Sequence, residues 1–404
     1  MKYKIFIFLF FAILLNYGYI YSQETNSVHK YSEEIPSELD LLTTWPENGP
    51  ELLLMIEDLG NGYSSPLVTE NKIYITGEID SIGYLFAFKL NGDLLWKKEY
   101  GGEWTLSYGG TRAMPSLVDD LLYLCSGLGK IICLKAESGE EVWSVDMIKN
   151  LGGELVSYGF AVPLLIHKNM LFCSPGGKMN NVVALNRFTG DLIWTSKGLG
   201  ESPGYGSNIL IKLEERNILV TFSEYSLLGI DAGNGDLLWF HKLADLGEIP
   251  CNTPIYEDGY IYFVAGPGNG ATKLKLTANG KRIKKIWHNI DYNTYFGGFI
   301  KLGEYIYGSV NNKPEWQSLS AISGKVESRL KFHNGAASFA DGKIYAYNQR
   351  GQVGLIKPNN GKLDLISSFR VQNGSKEHYA FPVIKNATLY IRHGNVLLAY
   401  NIKK

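Results

Sequence analysis

The chain has 404 residues, 45 of them Gly, 26 Tyr and 8 Trp, a composition suited to many turns and aromatic sheet packing. Thirty-nine basic residues against 40 acidic ones give a net charge of −1, which argues against nucleic acid or an anionic membrane surface as a general partner. Four cysteines, none adjacent to another, exclude a disulfide-dense scaffold.

Residues 1–22 read as a secretion signal. Lys2 and Lys4 give a positive start, and Ile5 to Leu15 form an eleven-residue apolar run, short for a membrane span. Ser22 is the best candidate for the last residue before cleavage, and an uncleaved anchor is the alternative. No Cys lies near the end of this segment, so a lipid-modified Cys at the mature N-terminus is not expected. Residues 23–41 are polar and read as a flexible leader.

From residue 42 to 404 a repeat runs without a break. Gly92-Asp93-Leu94-Leu95-Trp96 returns as Gly139-Glu140-Glu141-Val142-Trp143, Gly190-Asp191-Leu192-Ile193-Trp194 and Gly235-Asp236-Leu237-Leu238-Trp239, with Trp spacings of 47, 51 and 45 residues. Before each Gly comes a short apolar run and a polar turn, as in Val182-Val183-Ala184-Leu185-Asn186, which is a β-hairpin signature. Looser copies begin at Gly49, Gly280, Gly324 and Gly361. In these, Trp287 follows three extra residues, and Ser328, Leu365 and a Leu near position 54 stand where Trp would be.

A second element, an inner hairpin opened by Pro or a small residue, recurs with the same count. Ser65-Pro66-Leu67-Val68, Met114-Pro115, Val162-Pro163, Thr253-Pro254 and Phe381-Pro382 are its clearest openings. Proline at the start of a strand costs no ladder bond. A strand-and-turn repeat of 40 to 50 residues, present eight times, predicts an all-β, eight-bladed propeller of four-stranded antiparallel blades. The first outer strand, Leu52 to Ile56, has no inner partners before it, and Val396 to Asn401 has no outer strand after it. Pairing them would close the ring and remove both edges.

The Gly-x-x-x-Trp outer strands, the Ala184 to Gly190 turn and the eightfold count resemble the pyrroloquinoline-quinone-type (PQQ-like) propeller repeats. These occur in quinoprotein alcohol dehydrogenases and in the non-enzymatic BamB-like propeller of outer-membrane protein assembly. Trp45 to Pro50, Gly62 to Pro66 and Tyr390 to Gly394 further resemble a bacterial branch of secreted propellers. The dehydrogenases set an adjacent Cys-Cys disulfide against the quinone, with carboxylates around calcium and a catalytic Asp. This chain has no Cys-Cys pair and no acidic cluster at strand starts. The resemblance therefore implies a non-catalytic binding or scaffold propeller with no cofactor. The alternative is a quinone-dependent oxidoreductase with PQQ and calcium in the channel.

In such a ring, the loops entering the innermost strands and the turns between middle strands surround one channel mouth, and loops on a rigid scaffold carry function. The loops before Pro115, Pro163 and Pro382 are long, with eighteen, nineteen and sixteen residues after the preceding Trp96, Trp143 and Leu365. They hold Trp104, Tyr108, Arg112, Tyr158 and His378-Tyr379. Arg392 and His393 lie in a middle turn of the last blade, and Tyr63, Tyr205, Asn252 and Tyr295 complete the candidate rim. Arginine suits an anion, and tyrosines suit a sugar or a planar ligand. The competing reading is that these residues plug the channel and satisfy buried backbone groups.

Other motifs are weaker. Gly266 to Gly270 lacks the Lys and helix of a phosphate loop, and Asp231 to Asp236 lacks calcium-loop spacing. The seven His show no metal-ligand spacing. The four cysteines, Cys125, Cys133, Cys173 and Cys251, are expected as small buried side chains, although Cys125 and Cys133 flank a turn and could face each other. The sequence thus predicts a monomer in the periplasm or outside the cell, with a protein or carbohydrate partner of the envelope and no membrane span once the signal is cleaved.

Overall fold

The computed structural model describes residues 40–244, 250–266, 268–295, 297–311 and 313–404. The signal segment and all but the last two leader residues lie outside them. The described residues hold no helix and build eight four-stranded antiparallel sheets set as an eight-bladed propeller. Blades I to VII span 67–102, 116–146, 165–196, 209–242, 255–289, 300–330 and 335–370, each a meander in chain order. Blade VIII takes Val383–Lys385, Thr388–His393 and Val396–Asn401, and its outer strand is Leu52–Ile56 from the other end of the chain. The register of that seam is Leu52 to Tyr400, Leu54 to Ala399 and Ile56 to Leu397.

The seam is tied twice more. Leu41 is fully buried and bridges Lys403, and the Leu42 amide donates to the Ile402 carbonyl at 2.8 Å. Asp40 and Leu41 are therefore part of the ring and not of a loose leader.

The apolar interior is divided into eight layers, one between each pair of neighbouring blades. Tyr74, Leu85, Leu122 and Ile132 fill the layer between blades I and II, for example, and Phe172, Val182, Leu219 and Leu228 that between III and IV. Each blade thus buries its faces mainly against its two neighbours, as expected of a radial repeat.

The Gly-x-x-x-Trp motif is the clamp between those layers. The indole Nε1 of Trp143 donates to the Arg187 carbonyl at 2.9 Å, that of Trp194 to Ala232 at 3.1 Å, and that of Trp287 to Ala321 at 3.1 Å. Each acceptor lies three residues before the Gly of the next blade, and that Gly lies against the same indole. A Cβ on Gly190 would come within 2.8 Å of Trp143, and one on Gly235 within 2.7 Å of Trp194. Between blades I and II the pattern changes. Tyr74 donates to the Ala136 carbonyl instead, and the Trp96 Nε1 has no partner among the described residues.

Every outer hairpin also carries a register shift at the same step. Trp194 pairs with Ala184 and Leu192 with Leu185, leaving Ile193 as the bulged residue. In blade VII Ser367, not Leu365, takes the Trp position, because the ladder beyond the bulge runs on to the pair Asn359 and Lys362 before the chain turns. Trp45 fills the gap. Its amide donates to the Ser367 hydroxyl at 2.8 Å, and its ring packs 5.7 Å from both Tyr345 and Phe369.

The cysteines are free thiols. Cys125, Cys133 and Cys173 are buried as expected, but Cys251 is partly exposed. Cys125 faces Ile131 across its hairpin and Cys133 faces Tyr123, so the two are not opposite each other. Burial pushes the Cys133 thiol up to about 12, which makes it an inert apolar filler.

A tyrosine-lined cavity at the channel mouth

Loops entering seven of the eight blades converge on a cavity of about 500 Å³, within the range of small-ligand pockets. Six tyrosines line it: Tyr63, Tyr108, Tyr158, Tyr205, Tyr295 and Tyr379. They come from the loops into blades I, II, III, IV, VI and VIII. The loop into blade V supplies Cys251, Asn252 and Thr253. The short loop into blade VII, residues 331–334, contributes nothing to the lining.

Among the described residues, one side chain in the lining bears a full charge, Arg112. Its guanidinium is gripped by its own loop. Nη2 donates to the Ser107 and Tyr108 carbonyls at 3.2 and 2.5 Å, and Nη1 to Gly110 at 3.5 Å. Tyr108 reaches this position with φ of 55°, a left-handed conformation that costs a large residue energy and recurs at functional sites. Arg112 has no carboxylate within salt-bridge distance among the described residues, and its Nε makes no hydrogen bond there. Burial lowers its pKa, opposed by Tyr63, Glu103 and Tyr205, but a guanidinium stays charged at neutral pH.

The tyrosines meet at an incline, Tyr158 and Tyr205 edge to face and the others tilted. Tyr63 and Tyr379 lie 5.5 Å apart at 41°, Tyr108 and Tyr379 5.9 Å apart at 56°, and Tyr158 and Tyr205 6.1 Å apart at 68°. The Tyr63 hydroxyl donates to Glu377 at 2.5 Å, and the Tyr158 amide donates to the Tyr205 hydroxyl at 3.2 Å. Burial raises the phenols of Tyr63, Tyr205 and Tyr379, joined at Tyr63 by Glu377, with Tyr205 and Tyr379 reaching about 12. These three are neutral at pH 7.

Seven of the eleven candidate residues therefore line one cavity: Tyr63, Tyr108, Arg112, Tyr158, Tyr205, Asn252 and Tyr295. Asn252 is chiefly a brace, bonded to the Val264 and Thr294 carbonyls at 3.1 and 2.9 Å and accepting from the Gly298 amide at 3.1 Å.

Trp104, His378, Arg392 and His393 are not in the lining. Trp104 is buried, donates to the Ser107 carbonyl at 3.0 Å and anchors the loop that carries Arg112. Arg392 is fully buried at the seam between blades VIII and I. Its Nε donates to Gly394 at 2.9 Å and its Nη1 to Ser64 Oγ at 2.8 Å and to the Thr76 carbonyl. His393 bridges the Asn373 and Lys376 carbonyls at 2.8 and 2.9 Å and stacks on His378 at 3.9 Å. His378 Nδ1 bonds the buried Tyr347 hydroxyl at 2.6 Å. For these four, the plugging reading describes what the side chains do.

Reasoning from sequence missed Ser65, Met114, Ser207, Cys251, Thr253 and Phe381 in the lining. A signal existed for several: Ser65, Met114, Thr253 and Phe381 each directly precede the proline that opens a strand.

Comparison with known proteins agrees with this architecture. The family model described as outer membrane protein assembly factor BamB matches residues 81–327, more than half of the chain. The chain belongs to the BamB-type, PQQ-like propeller family. Quinoprotein alcohol dehydrogenase PedH of Pseudomonas putida is 24% identical to this PQQ-like propeller over 179 residues, 40% of this chain and 28% of PedH. An uncharacterized protein of Rickettsia conorii is 22% identical over 250 residues, 50% of this chain and 57% of that one. The matched region thus spans little more than half, or less, of these relatives.

Among solved structures, a europium-containing methanol dehydrogenase superposes with a TM-score of 0.65 at 10% identity, covering 85% of both chains. Quinohemoprotein alcohol dehydrogenase from Comamonas testosteroni gives 0.63 at 10% identity, covering 88% of this chain and 77% of that one. The computationally designed Ika8 protein gives 0.61 at 12% identity, covering 88% of this chain and all of the other. At such identity these likenesses speak to the fold.

Proposed function

We propose that this PQQ-like propeller is an exported binding protein. As a monomer it would hold a protein or carbohydrate of the cell envelope at its channel mouth and perform no chemistry on it. The observation that carries this reading is the lining itself: six tyrosines, small polar side chains and one unpaired cation. That set can grip a ligand, and among the described residues it offers no carboxylate or imidazole to move a proton. The BamB-type family match supports a binding role, and an envelope location agrees with the apolar start of the sequence. No helix among the described residues is long and apolar enough to cross a membrane.

A second reading, a quinone-dependent alcohol oxidoreductase, is favoured by the likeness to PedH. The donor set does not fit it. Calcium takes six to eight oxygen ligands, carboxylates prominent among them, whereas the described residues of the lining include no carboxylate and carry a cation of their own, Arg112. The nearby Glu103 and Glu377 are held in hydrogen bonds by Tyr100 and Tyr63. Titration with pyrroloquinoline quinone and calcium, followed by absorbance and by dye-coupled oxidation of primary alcohols, distinguishes the two. No saturable binding and no dye reduction are expected. Stoichiometric quinone binding with alcohol-dependent turnover would overturn the binding reading.

A further inference from the structure

We propose that the channel-mouth cavity takes an acidic saccharide, its carboxylate on Arg112 and its ring faces on the surrounding tyrosines. The inference rests on the binding role proposed above and names the ligand class for the same site.

Charge complementarity is the first argument. Among the described residues Arg112 is the one fully charged group in the lining, it has no carboxylate within salt-bridge distance, and its Nε–H is unused. The loop carbonyls hold the guanidinium in place before any ligand arrives. A pre-positioned, partly desolvated guanidinium binds a carboxylate by short charge-assisted hydrogen bonds.

Ring geometry is the second. A flat aromatic ligand is best held between parallel rings. Here neighbouring tyrosines are inclined by 41°, 56° and 68°, so their faces line a curved wall. Such a wall suits a puckered pyranose, which presents C–H groups to ring faces and hydroxyls around its rim. Phenol hydroxyls with Ser207 and Thr253 provide partners for that rim. A cavity of about 500 Å³ accommodates a ligand of disaccharide size.

A peptide partner would bring backbone amides that need a strand edge or a row of acceptors. The described lining residues all lie in the loops that precede the innermost strands, so the cavity presents no strand edge among them, which favours the sugar.

The test is calorimetric titration of the whole protein with a hexuronic-acid disaccharide and with the same disaccharide after its carboxyls are reduced to alcohols. The wild type is expected to bind the acidic form at least tenfold more tightly. Arg112→Gln should weaken the acidic form roughly ten- to a hundredfold, the range for a hydrogen bond to a charged group. It should leave the reduced form within about threefold. Melting temperatures report whether the variant is folded, and the wild-type preference stands independently of it. Equal wild-type affinity for both sugars would overturn the anion assignment while leaving saccharide binding intact. Binding of neither sugar would overturn the inference. Capture of an envelope protein that Tyr205→Ala weakens would then leave the broader binding role standing, and quinone-dependent alcohol oxidation would remove both.

Discussion

Two arginines with the same sequence credentials have opposite fates. Arg112 and Arg392 both lie near the mouth and were indistinguishable by residue type. Arg392 is sealed into the seam, where burial lowers its pKa to about 9, while Arg112 opens onto the cavity. The difference depends on which blades adjoin, a fact held 316 residues away at Thr76. Local sequence does not carry it. Glu103, behind the Arg112 loop, was also missed. It accepts from Tyr100 at 2.5 Å and from the Gly127 amide at 2.9 Å, yet burial dominates and raises its pKa to about 7.

The sign of the resulting pH dependence follows. The folded state holds the Glu103 proton more tightly than the unfolded chain, so this contribution is full below the unfolded value near 4.5 and is lost as pH rises through about 7. Glu103→Gln mimics the protonated acid. Denaturant melts should find the variant about as stable as wild type at pH 5 and about 1–3 kcal/mol more stable at pH 8. A gap that does not change with pH would contradict the assignment. His378 and His241 act in the opposite sense. Burial lowers both to about 4, so their contribution is present above pH 6.5 and fades as pH falls, in the variant and wild type alike.

At the scale of the strand pair, the Trp repeat was legible because the indoles of Trp143, Trp194 and Trp287 are each fixed both by a hydrogen bond and by a glycine of the next blade. The copies that lost Trp were only partly legible. Leu365 was expected at that position in blade VII, but the longer hairpin ladder and the bulge place Ser367 there, and Trp45 arrives from outside the repeat. Register of this kind is set by bulge geometry, which a single sequence does not display.

The glycine contact gives a clean comparison. Gly190 and Gly342 both have positive φ, 78° and 68°, but a Cβ on Gly190 would meet Trp143 at 2.8 Å while one on Gly342 meets nothing within 4 Å. Gly342→Ala should cost about 1 kcal/mol, the left-handed penalty alone. Gly190→Ala should cost about 1–3 kcal/mol more, because the indole must shift. Urea unfolding of the two variants measures the difference, and equal costs would refute the clamp.

For the molecule as a whole, ring size, blade order and the closing pair were all readable, since eight turn-strand copies and one orphan strand at each end admit few arrangements. The mouth was readable in its tyrosines, because each precedes a strand-opening residue at short range. It was not readable in its depth, which arises only when seven loops meet. Tyr205 and Tyr158 approach across 47 residues of sequence, and Tyr63 and Tyr379 across the closed seam. The ring therefore does for the site what no single blade could: it turns a recurrent tyrosine into a cavity wall and sets one guanidinium inside it with no carboxylate at salt-bridge distance among the described residues.

The most direct test of that account is a crystal of the protein soaked in a hexuronic-acid disaccharide. The account predicts electron density for the sugar in the channel mouth, its carboxylate about 3 Å from the Arg112 guanidinium and a ring face against the tyrosine wall. An empty mouth, or sugar bound only along the outer strands, would contradict it.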